Sequence, residues 1–250
     1  VRVTVVLLLI AALGSCAGGG RGPDRTDPER VITHRVLPGE TWESISEEFY
    51  GTGERACELA RFNGSEEDDD LDPGTGVKVP LMHRDISRMS ERLEAMDIYN
   101  EGVGLAERGD YPGAVKKFEQ VLDIEPGATE ASFNLAVTFQ KMGRHSDALA
   151  ILEDLIGEKP ERTDYRSAAG NSLFYLGRYE EAVEAFRGAL KHDPGHLESI
   201  FSLAASLEKL GRGEEAIETW EYYIENAPEG DWKKEARERI ESLRRTGGGD

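Results

Sequence analysis

The sequence predicts a mainly α chain, in which a small strand–helix–helix–strand domain precedes an α-solenoid of four helix pairs with a C-terminal capping helix. Three observations carry that expectation. Glycine, alanine and proline recur every 34 residues between Ala95 and Gly230. Two Pro-Gly turns, Pro38-Gly39 and Pro73-Gly74, bracket a stretch whose apolar residues have helical spacing. The composition, 38% hydrophobic and 32% charged over 250 residues, suits one or two folded domains.

The chain opens VRVTVVLLLIAALGSCAGGG. Its apolar run, Val3 to Leu13, is eleven residues long, whereas a membrane-spanning helix needs about twenty. A basic Arg2, an apolar centre and a small-residue end are the parts of a secretory signal. Leu13-Gly14-Ser15-Cys16 resembles the lipobox of bacterial lipoproteins. The resemblance implies that residues 1–15 are a signal peptide and that Cys16 carries lipid on its sulfur and amino group. Ala17 after the cysteine, in place of Asp, implies sorting to the outer membrane. The expected location is therefore the bacterial cell envelope, lipid-anchored and facing the periplasm. Residues 16–32 are rich in Gly, Pro and charge and cannot bury enough apolar surface to order themselves, so a flexible tether is expected. The chain has two cysteines. Lipidation of Cys16 leaves Cys57 without a disulfide partner, as a small helix residue.

Residues 33–80 follow in a compact pattern. A strand from Thr33 to Val36 enters the Pro38-Gly39 turn. Thr41 is placed to cap a helix carrying Trp42, Ile45 and Phe49, which Gly51 and Gly53 end. A second helix with Leu59 and Phe62 stops at Asn63-Gly64. The acidic run Glu66 to Asp70 lacks the alternating ligands and central glycine of a calcium loop and reads as a solvated loop. Pro73-Gly74 then leads to a strand, Val77 to Val79. The order and spacing of His34-x-Val36, Pro38-Gly39-Glu40-Thr41, Ser44-Ile45, Tyr50-Gly51, Leu59-Ala60, Asn63 and Leu71-x-Pro73-Gly74 resemble the LysM domain. The resemblance implies binding of peptidoglycan or another N-acetylglucosamine-containing glycan in a shallow groove. By position, Gly39, Glu40, Thr41 and Trp42 would form one side and Leu71, Asp72, Pro73 and Gly74 the other. A neutral sugar is held by hydrogen bonds and an apolar platform, so the groove needs no charge.

Ile86, Met89, Leu93 and Met96 predict a helical linker over residues 81–94. Then Pro126, Pro160, Pro194 and Pro228 keep step with Gly109, Gly143, Gly177 and Gly211, and with Ala114, Ala148, Ala182 and Ala216. Phe118, Leu152, Phe186 and Trp220 hold the same register. This period and these offsets resemble the tetratricopeptide repeat. Four repeats are expected, 95–128, 129–162, 163–196 and 197–230, because one repeat cannot bury its own apolar face. Residues 231–245 read as a capping helix and 246–250 as a disordered tail. In this family the first helix of each pair lines a concave groove. Here that face would carry Tyr99, Asn100 and Val103; Phe133, Asn134 and Val137; Asn171, Phe174 and Tyr175; and Phe201 and Ala205. Aromatic rings among asparagines suit a peptide, whose backbone the amides hold while the rings take its side chains.

A net charge of −19 disfavours nucleic acid and other polyanions. No phosphate-binding glycine loop or G-x-S-x-G elbow is present. Ser206-Leu-Glu-Lys209 matches S-x-x-K without its companion motifs, and His192 and His196 lack a third metal ligand. The expectation is a protein with no catalytic residues, cofactor or metal. It would tether peptidoglycan, a lipid-held membrane anchor and an unidentified protein or peptide. Two alternatives stand beside that reading: an accessory regulator positioning a peptidoglycan hydrolase or synthase, and a purely structural link between outer membrane and wall.

Overall fold

The computed structural model describes residues 28–247, with side chains through residue 245. The signal peptide, Cys16, most of the tether and the end of the tail lie outside the described residues. The chain divides after Met89 into two compact units. Among the described residues, no helix is long and apolar enough to cross a membrane.

In the first unit, β1 (Arg30–Arg35) pairs antiparallel with β2 (Gly76–Leu81), from Arg30 opposite Leu81 to Arg35 opposite Gly76. Between them come α1 (Trp42–Tyr50), a 3-10 turn (Gly53–Arg55) and α2 (Ala56–Phe62). Thr41 caps α1 as expected, and Ser44 answers it in a capping box. Gly51 ends the helix at φ 73°, a left-handed conformation that glycine adopts without strain. Val36, Trp42, Ile45, Tyr50, Ala56, Leu59, Val77 and Val79 form one core. Asn63 ties α2 to β2: its amide donates to the Leu59 and Lys78 carbonyls and accepts from the Lys78 N–H, at 2.7–2.9 Å.

The boundaries of both expected strands move. β1 begins at Arg30 and closes before Val36, and β2 runs on to Leu81, because pairing extends through Val31 and Pro80. The expected linker is not a separate element either. α3 runs unbroken from His83 to Glu107 and merges it with the first repeat's opening helix. From His83 to Glu101 no Gly or Pro interrupts it. Asp85 secures its start by accepting from the Met82 N–H at 2.9 Å and from Arg55 Nη1 at 3.0 Å.

The second unit is a stack of helix pairs. α4 (Tyr111–Ile124), α6 (His145–Glu158), α8 (Tyr179–His192) and α10 (Gly213–Asn226) are the second helices, each 34 residues after the last. α5 (Thr129–Lys141), α7 (Thr163–Tyr175) and α9 (Leu197–Lys209) are first helices, and α11 (Asp231–Gly247) closes the array. Each turn within a pair uses one device. Gly109, Gly143, Gly177 and Gly211 adopt φ of 72–80°. The next N–H then bonds back to the carbonyl five residues earlier, as Arg144 does to Phe139 at 2.8 Å and Arg178 to Leu173 at 2.9 Å. The in-register Ala114, Ala148, Ala182 and Ala216 are fully buried, as are Leu152, Phe186 and Trp220. A second small-residue ladder also follows the period: Gly102, Ala136, Gly170 and Ala204. A methyl group at Gly170 would sit 2.6 Å from the buried Phe186 ring, and one at Gly102 would sit 2.9 Å from Phe118.

Candidate functional sites

The two Pro-Gly turns of the first unit lie side by side. The Val36 N–H donates to the Thr75 carbonyl at 2.9 Å, and the Gly74 N–H donates to the Val36 carbonyl at 2.8 Å. Both turn glycines need positive φ, 87° at Gly39 and 90° at Gly74. Within the first turn the Glu40 carboxylate is a hub, accepting from the Leu37 N–H and meeting His34 Nε2, each at 2.7 Å. Gly39, Thr41, Asp72, Pro73 and Gly74 are exposed, while Glu40 and Leu71 are half-buried. Thr41 spends its hydroxyl on the helix cap.

Trp42 is a correction. It was expected as a groove residue, but only 3% of it is exposed. It is the first residue of α1 on that helix's apolar face, and its indole N–H donates to the Asp69 carbonyl at 3.1 Å. The ring therefore packs the core and pins the exposed acidic loop. The apolar surface beside the turns comes from Leu37, which is 58% exposed. Sequence reasoning passed over it because it follows the strand without continuing any alternation.

In the second unit α7 packs against both α5 and α9, so first helices of successive pairs form a continuous inner row. Along that row the asparagines are already engaged. Asn134 Nδ2 donates to the Tyr99 hydroxyl at 2.6 Å, and Asn171 Nδ2 donates to Glu198 Oε1 at 2.9 Å. Burial lifts the Tyr99 phenol above its ordinary pKa, helped by the negative Glu130, so it stays a neutral acceptor. Gln140, which the sequence did not single out, spans the next gap, donating to the Ala168 carbonyl at 2.6 Å and the Ser172 hydroxyl at 2.7 Å.

The apolar members are less open than expected. Tyr99, Val103, Phe133, Phe174, Phe201 and Ala205 are half-buried and pack against the solenoid core, and Val137 is half-buried too. Asn100 and Tyr175 are exposed, Tyr175 by 70%. Tyr175 closes α7 at the turn, where its ring stacks on His145 of α6 at 4.7 Å. Phe201 sits among Trp220, Tyr223 and Trp232, with ring centres 4.6–5.3 Å away. Trp232, on the capping helix, is 64% exposed and extends this aromatic patch to the surface. The sequence places it only within the capping helix, since its position depends on how α11 returns onto α9.

The motifs that resemble catalytic ones have structural duties. Ser206 is fully buried and donates to the Ser202 carbonyl one turn earlier at 2.7 Å. His196 caps α9, accepting from the Ser199 N–H. Cys57 is half-buried in α2.

Residues 105–171 and 167–231 match family models described as tetratricopeptide repeats. No curated protein matches the chain. Among solved structures, MamA from Desulfovibrio magneticus RS-1 is 24% identical over 52% of this chain and 74% of its own, with a TM-score of 0.51. Another MamA structure is 20% identical, covering 62% and 82%, with a TM-score of 0.55. The thermophilic TPR protein TTC0263 from Thermus thermophilus is 21% identical, covering 62% and 83%, with a TM-score of 0.51. At these identities the likeness is one of fold.

Proposed function

Because the chain is a tetratricopeptide-repeat protein over residues 105–231, we propose that it is a non-catalytic scaffold whose inner helix row recruits a protein or peptide partner. Stacked repeats of this kind create extended binding surfaces. The observation that carries the reading is the row itself, where amides and rings alternate over α5, α7 and α9 around Asn134, Asn171, Phe133 and Phe174. A peptide laid along it would exchange hydrogen bonds with those amides and cover the half-buried rings.

The first unit adds a second contact. The LysM resemblance of residues 33–80 supports binding of an N-acetylglucosamine-containing glycan such as peptidoglycan, across Gly39, Glu40, Thr41, Leu71, Asp72, Pro73 and Gly74. The adjacent turns and exposed Leu37 are the physical support for that assignment. The lipobox-like Leu13 to Cys16 supports a lipid anchor in the bacterial envelope, facing the periplasm. Linked weak contacts then gain from effective concentration, and the protein acts as a tether.

The test is co-sedimentation with purified peptidoglycan sacculi of residues 17–250, beside a version without residues 28–82. Pelleting that needs the first unit supports wall binding; equal behaviour of both removes it. The partner face is tested separately by cross-linking in envelope extracts with the Phe133→Ala, Asn134→Ala double variant. Loss of a specific cross-linked protein supports the groove, and an unchanged pattern counts against it.

A further inference from the structure

His34 of β1, Glu40 of the first Pro-Gly turn and Glu48 of α1 converge from three elements. One nitrogen and two carboxylate oxygens from them all lie within 4.8 Å of one another. We infer that this triad is a zinc-binding site.

The donor set argues for the metal. A histidine nitrogen with two carboxylates suits zinc, whereas calcium and magnesium favour all-oxygen shells. Zinc holds such ligands at about 2.0–2.2 Å, so two ligands on one ion stand at most about 4.4 Å apart. His34 and Glu40 already satisfy that limit at 2.7 Å. Glu48 is exposed, and its carboxylate oxygen already lies within 4.8 Å of both other ligand atoms.

The other two ligands are held in place. Their side chains are only 12% and 17% exposed. The strand register sets His34 opposite Val77, and its ring packs edge-to-face with Phe49, the ring centres 5.4 Å apart. The Leu37 N–H fixes the Glu40 carboxylate at 2.7 Å, the kind of outer-shell support that orients metal ligands. A zinc ion would replace the direct His34–Glu40 contact, taking the lone pair of the His34 ring nitrogen and a Glu40 carboxylate oxygen. Three protein ligands leave a fourth position for water or another oxygen ligand. Neither the triad nor its test depends on glycan binding.

The experiment is calorimetric titration of residues 17–250 with zinc chloride, repeated on His34→Gln and Glu48→Gln. Cobalt(II) serves as a visible-absorbance probe of the coordination shell. Since loss of an outer-shell partner alone costs about 10–100-fold in metal affinity, each ligand variant should weaken zinc by at least about tenfold. One zinc per chain with both variants impaired supports the site. Glu48 lies on the exposed face of α1, so its variant keeps the test decisive should His34→Gln disturb the strand. Unchanged affinity in Glu48→Gln, or binding carried by other acidic residues in both variants, overturns the inference, as does the absence of saturable binding.

Discussion

Tyr50 shows how one side chain can make a fold depend on pH. Its ring is buried beneath Arg55, whose guanidinium carbon lies 3.8 Å from the ring centre, and its hydroxyl donates to the Pro80 carbonyl at 3.0 Å. Burial pushes the phenol up to about 12 against the opposing pull of Arg55. A folded pKa above the unfolded value means the stabilisation is complete below about pH 10 and is lost as pH rises through about 12. Subtracting the phenolate ultraviolet titration of Tyr50→Phe from that of the parent should therefore leave a group ionising near 12; ionisation near the free value would refute the burial account. At neutral pH the same variant should cost about 1–3 kcal/mol, because the Pro80 carbonyl loses its donor, read as faster amide exchange in β2. The Tyr50-Gly51 pair was legible in the sequence, but the hydroxyl's partner 30 residues away was not. Trp42 is the converse case: helical spacing placed it on an apolar face, while the motif's position suggested a ligand. Packing decided for the core, since a ring at the first position of α1 has nowhere drier to go.

Between elements, one close approach is a glycine against a ring. Gly170 lets α7 lie on Phe186 of α8, where even a methyl would meet the ring at 2.6 Å. Gly170→Val should destabilise the second unit by about 1–3 kcal/mol through overpacking, measured as a lower urea midpoint by circular dichroism. Gly157, with open space around its missing side chain, provides the control: Gly157→Ala should raise stability slightly through helix propensity. The 34-residue period made the alanine ladder visible from sequence alone. The second ladder was hidden because Gly102 and Gly170 read as poor helix residues until the ring they accommodate is known. The merging of the linker with the first repeat is hidden in the sequence for a related reason: a helix announces its ends by caps and breakers, and α3 has none between residues 94 and 95.

At the scale of the molecule, the second unit is a linear stack in which each pair mainly touches the next, so its stability is a sum of local and neighbour terms. The second and third repeats, residues 129–196, have neighbours on both sides. Native-state hydrogen exchange should be slowest there and faster toward α11; uniform protection would mean the unit opens only as a whole. The repeat architecture was legible because period survives sequence change, whereas the engaged state of Asn134 and Asn171 depends on partners in the neighbouring repeat. The tryptophans have a practical consequence. The chain carries three: Trp42 sealed in the first unit's core, Trp220 in the second's, and Trp232 at the surface beside Phe201. The molecule thus contains its own optical reporters. Water-soluble quenchers should reach Trp232 first, and an occupant covering the Phe201 end of the inner row should shield it without any dye being attached.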